Sequence, residues 1–170
     1  MTRFSDIPKF PTLNYRIQVS LDELEPWLER MISSHGLQME PDFQRGHVWT
    51  DEQAIAFMEF FLMNGEAGRL ILFNHPGWMG SFEGEMVLVD GLQRLTAALR
   101  FLRNELPVFG HLYSEFEDRP SYESNFTIAI AKLPTRADVL KWYIDLNSGG
   151  TPHAASENGR VRALLSRETS

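Results

Sequence analysis

The 170 residues read as one α+β domain, and three features carry that expectation. Runs with apolar residues at helical spacing alternate with short β-type runs, LILF (Leu70 to Phe73), MVLV (Met86 to Val89) and Thr127 to Ala131. An apolar content of 43% at this length supports a core without staples, since such a chain buries roughly 70% of its unfolded surface. The longest apolar stretch, Ala54 to Met63, carries Glu59 and falls short of the ~20 residues of a bilayer span.

Each element follows in order. Ser20 with Glu23 reads as a capping box ahead of a first helix in which Leu21, Leu24, Leu28 and Met31 share a face, with Pro26 near its first turn. Gly36 breaks it, and PDFQRGHVWT forms a polar, aromatic loop. Thr50 with Gln53 makes a second capping box before the long, mostly buried helix AIAFMEFFLM, closed by Asn64-Gly65. LILF and MVLV pair as a hairpin, and a tight Asp-Gly turn leads from the second into a helix with Leu95, Ala98, Leu99 and Leu102 on one face. A strand at Thr127 to Ala131, a helix from Thr135 to Leu146, the NSGGTP segment and a last helix to Leu165 complete the chain, with the RETS tail fraying. The small sheet is flanked by helices, and residues 1–170 form a single domain.

Charge narrows the function. The net −7 argues against broad coating of nucleic acid, although 13 of the 16 basic residues are arginine, suited to forked recognition of phosphate or carboxylate. The N-terminus lacks the pattern of a signal peptide, so a cytoplasmic protein is expected. Without cysteine there is no thiolate chemistry, and the five histidines show no i, i+4 metal spacing. Neither a Walker-type loop nor a G-x-S-x-G elbow is present.

The most informative feature is VDGLQR, because a strand that turns directly into a helix presents unpaired N–H groups at the positive end of the helix dipole. Gly91 lets a phosphate approach the main chain, while Gln93 and Arg94 lie in the first helical turn. Asp90 is either the N-cap of that helix or a group that binds metal or orients water. A second cluster, Asp42-Phe43-Gln44-Arg45, sets another arginine at a helix mouth; Arg45 either joins Arg94 on one polyanion or is a solvated partner of Asp42 or Asp51. Phe43 and Trp49 read as core or lid. In the third cluster, Asn147, Gly149, Gly150 and Thr151 either wrap backbone donors around an anion or make a plain helix cap.

Together PDFQRGHVW, VDGLQRLTAALRFL and LNSGGTP resemble, in order and spacing, the ParB/sulfiredoxin-like domain of GmrSD-type modification-dependent restriction enzymes. The resemblance runs from about Tyr15 to Leu164. It implies a ParB/sulfiredoxin-like fold and a DGQQR-type motif, here Asp90 to Arg94, involved in nucleotide binding and hydrolysis, with Leu92 replacing the usual glutamine. The expected function is a nucleoside triphosphate-binding domain, a slow NTPase that acts as a switch for a partner protein in bacterial or phage defence or anti-defence. Asp90 and Gln93 are its catalytic candidates, and Gln44, Arg45, Gly91, Arg94, Asn147, Gly149, Gly150 and Thr151 its phosphate-binding candidates. Asp90 is also the candidate ligand of Mg2+. Replacing Arg94 is expected to abolish binding with little change in stability. The alternative is a ParB-like DNA-binding or protein-interaction module without hydrolysis. Related DNA-cutting proteins carry a separate C-terminal nuclease domain, so cleavage by that route is not expected of these residues alone.

Overall fold

A computed structural model of the chain describes residues 3–44, 49–149 and 155–169. Strand β1 (Tyr15–Ser20) turns Tyr15, Ile17 and Val19 toward the core, an alternation hidden when Ser20 is read as a helix cap. Ser20 Oγ bonds the Asp22 carboxylate at 2.8 Å rather than a helix N–H. A 3-10 turn, Leu21–Glu23, therefore precedes α1 (Leu24–His35), which Gly36 ends in the left-handed region at φ 62°.

The capping box of α2 (Asp51–Leu62) forms as expected, Thr50 Oγ1 accepting from Gln53 N and Gln53 Oε1 from Thr50 N. Beyond its end Asn64 is left-handed and Gly65 N–H returns to Phe60 O at 2.9 Å. The hairpin also forms: β2 (Leu70–Asn74) pairs antiparallel with β3 (Val87–Asp90), with a bulge at Leu72/Phe73 opposite the end of β3. Next come α3 (Leu92–Leu102), β4 (Asn125–Ala131), α4 (Arg136–Gly149) and α5 (Ala155–Thr169). The tail does not fray at Arg167: α5 continues to Thr169, where Thr169 Oγ1 bonds Leu165 O at 3.1 Å and Glu168 meets Arg136 at 3.0 Å.

Among the described residues the sheet has the order β1-β4-β2-β3, with β2 and β4 parallel and the other pairs antiparallel. The fold is thus α+β with a mixed sheet, and β4 lies inside it. Side-chain alternation sorts the helices by face. Ile71, Phe73, Leu88, Phe126, Ile128 and Ile130 meet α1, α2 and α3, whereas Leu72, Val89, Ala129 and Ala131 meet α4 and Val161 of α5. Phe61 and Phe126 stack at 4.6 Å with no exposed surface, and each such side chain contributes about 1.5–3 kcal/mol by burial. Small alanines on the second face let α4 approach the sheet closely. No helix among the described residues is long and apolar enough to cross a membrane.

Candidate functional site

Where β3 ends, the chain turns through Gly91 at φ 116° and enters α3 at once. Gly91, not Asp90, is the N-cap, so the capping alternative for Asp90 is overturned, and no described side chain caps this helix. The N–H groups of Leu92, Gln93 and Arg94 are first-turn donors, which intrahelical bonds do not use. They border a cleft of about 100 Å3 between the β3–α3 corner and the residues Gln44, Trp49, Tyr143 and Asn147. A Cβ on Gly91 would lie 2.5 Å from Ile71 Cδ1, so glycine is needed there for close helix–sheet packing as well as for its φ.

Long-range hydrogen bonds hold the walls. Gln44 Nε2 donates to Leu88 O at 2.6 Å, and Gln38 bridges the same outer edge of β3 through its backbone. Trp49 N donates to Gln93 Oε1 at 2.9 Å, which fixes the Gln93 carboxamide beside the cleft and anchors the entry to α2. Asn147 lies on α4, one turn past Tyr143; the turn expected to begin at Asn147 is helix as far as Gly149, with Ser148 Oγ bonded to Ile144 O. Asn147 Nδ2 is buried and has no acceptor among the described residues. Phe43 packs edge-on to Tyr143 and is 2% exposed, a core residue as its sequence context suggests.

Arg94 is the basic side chain that lines the cleft among the described residues, and its guanidinium is engaged. Nη1 donates to Gly68 O at 2.6 Å and Leu70 O at 2.8 Å, while Nη2 meets Asp90 Oδ2 at 3.1 Å. With only 17% of its side chain exposed, Arg94 braces β2 to α3, so the expectation that it contributes little to stability is corrected. Asp90 is about half exposed and has one oxygen turned to Arg94. Leu92 packs into the core of the first face, which gives its departure from glutamine a packing reason. Asp42 pairs with Arg136 and Asp51 with Arg100. Arg45, Gly150 and Thr151 lie outside the described residues, and Gly149 ends α4.

Among the described residues no group of three or more His, Asp or Glu could hold a metal ion. Asp90 alone fits Mg2+ only in the manner of a phosphate-bound ion, which takes one or two carboxylates and completes its shell with phosphate and water. The elements missed by the sequence reading are the carbonyls of Gly68 and Leu70, and Arg136 and Arg160, whose partners lie far along the chain.

No curated protein and no solved structure matches the chain. Residues 28–130 match the family described as GmrSD restriction endonuclease, N-terminal domain. The matched segment contains α2, the β2–β3 hairpin and the whole Asp90 to Arg94 corner, and stops short of α4 and α5. The chain therefore belongs to the GmrSD restriction endonuclease N-terminal domain family.

Proposed function

We propose that this ParB/sulfiredoxin-like domain binds the phosphates of a nucleoside triphosphate at the β3–α3 corner and serves as a nucleotide-controlled switch in a restriction or defence system. One observation carries the reading: the uncapped first turn of α3 and the buried Asn147 Nδ2, without an acceptor among the described residues, border the same cleft. The Asn147 amide lacks an acceptor among the described residues, and an anion at the start of α3 supplies one. At about 100 Å3 the cleft suits a phosphate group, being smaller than the ~300–1,000 Å3 of pockets that bury a whole small ligand. The nucleoside lies outside it.

In this reading the N–H groups of Leu92 to Arg94 hold phosphate oxygens, and Asp90 with those oxygens binds Mg2+, which offsets their charge. Gln93, oriented by the Trp49 N–H, places water for slow hydrolysis. Arg94 shapes the corner and adds positive charge behind it. Switching acts on a partner protein in the cytoplasm.

The test is a melting-temperature panel of the four common ribonucleoside triphosphates, with and without Mg2+, together with duplex DNA at two salt concentrations. Saturation at 100 times Kd adds about 2.7 kcal/mol, a rise of roughly 5–10 °C for a chain of this size. Asn147→Leu is expected to reduce the rise. Failure of every nucleotide, with DNA binding that falls steeply with salt, would replace this reading by a ParB-like DNA-binding module.

A further inference from the structure

The sequence makes Gln44 a phosphate-binding candidate, yet the contacts of Asp42-Phe43-Gln44 run largely to the C-terminal helices. Pro41 to Gln44 is a β-turn closed by Gln44 N–H to Pro41 O at 2.9 Å. The Arg160 guanidinium of α5 collects its consecutive carbonyls: Nη1 bonds Asp42 O, and Nη2 bonds Phe43 O at 3.0 Å and Gln44 O at 2.8 Å. From α4, Arg136 grips both oxygens of Asp42 with Nη2 and passes to Glu168 of α5 through Nε at 3.0 Å. Three adjacent carbonyls pointing at one cation form a rigid, charge-assisted arrangement. The far side of this turn is Gln44, which closes the β3 edge through Leu88 O and forms one wall of the cleft.

We infer that α5 controls the candidate phosphate cleft, with Arg160 as the positioning residue that sets the turn carrying Gln44. The inference rests on the nucleotide reading only for its consequence in binding. The way α5 is attached suits it to this role. Among its described side chains Val161 is the one buried residue, Leu164 and Leu165 are partly covered, and the contacts of Arg160 and Glu168 are polar. Elements with so little apolar burial open locally at small cost, so the clamp is reversible without unfolding the sheet. Release of α5 would free the turn, loosen Gln44 from Leu88 and widen the cleft wall. Arg136 and Arg160 lie beyond the family match at residues 28–130, as do Tyr143 and Asn147 of the cleft wall, so the C-terminal helices supply both the control device and one side of the cleft.

The full chain carrying Arg160→Gln tests this, with Arg160→Lys as the conservative variant and Arg162→Gln as an exposed control on the same helix. Hydrogen exchange read on a peptide spanning residues 37–44 should accelerate about tenfold in Arg160→Gln, less in Arg160→Lys and not in Arg162→Gln, while β4 keeps its protection. Retained β4 protection shows that the variant is folded. Mg2+–nucleoside triphosphate affinity should fall about tenfold in the same order, since supporting groups commonly alter ligand affinity on that scale. Unchanged exchange at 37–44 in folded Arg160→Gln overturns the inference, as does full nucleotide affinity despite faster exchange. If the unaltered chain binds no nucleotide, the proposed function fails, and the exchange result still decides whether α5 holds the turn. Should Arg160→Gln lose β4 protection, the same readings on Arg160→Lys decide.

Discussion

At the scale of single residues, the corner between β3 and α3 is over-determined. Gly91 combines a left-handed backbone with a neighbour, Ile71 Cδ1, at 2.5 Å from any added Cβ. Gly91→Ala should therefore lower stability by about 2–3 kcal/mol, measured by urea unfolding, with part of the loss restored by a second change, Ile71→Val. Arg94→Met should cost about 2 kcal/mol or more, because Gly68 O and Leu70 O would lose charged donors in a mostly covered position. An unchanged unfolding midpoint for Arg94→Met would show that water replaces the guanidinium without loss. The DGLQR segment was legible as a strand-turn-helix because its residues are contiguous. The use of Arg94 was not, since the carbonyls it reaches lie more than twenty positions earlier and leave no local pattern.

At the scale of elements, local chemistry foretells boundaries where both partners sit within one turn. Thr50 and Gln53 satisfy each other, and Thr50→Ala should destabilise α2 by about 1 kcal/mol, lowering the melting temperature by roughly 2–4 °C. Ser20 and Glu23 show the same letters with a different outcome, because Ser20 is the last residue of β1 and its hydroxyl is taken by Asp22. β1 itself was readable in the alternation of Tyr15, Ile17 and Val19, but the competing cap pattern at Ser20 masked it. The extent of α4 and α5 was less legible: Asn147 and Ser148 continue a helix that the Gly149-Gly150 pair suggests should already have ended, and Glu168 is held by Arg136 on another helix.

At the scale of the whole molecule, the interior contains, among the described residues, one histidine whose charge the fold resists. His75 is fully buried, accepts from Gly77 N–H through Nδ1 and packs 5.4 Å from the ring of His35; burial first, and then the nearby His35 charge, hold its pKa below the ordinary 6.5. The unfolded chain takes up a proton near pH 6.5 that the folded chain accepts only at lower pH. Stability from this site is complete above pH 6.5 and declines as pH falls through the folded value. Urea midpoints between about pH 7.5 and 5.5 should decline less steeply for His75→Asn, whose amide oxygen can still accept from Gly77; parallel declines would assign the effect to other groups.

The position of β4 bears on synthesis as well as on stability. Its neighbours β1 and β2 are made long before it, with Tyr15 waiting for Ile130 and Leu70 for Thr127. A growing polypeptide that has not reached Ala131 holds a lone strand and a hairpin, each with an open edge and neither able to join the other. Premature termination before that point yields sticky fragments rather than a smaller working domain, and the ribosome must deliver the residues through Ala131 before the sheet can close.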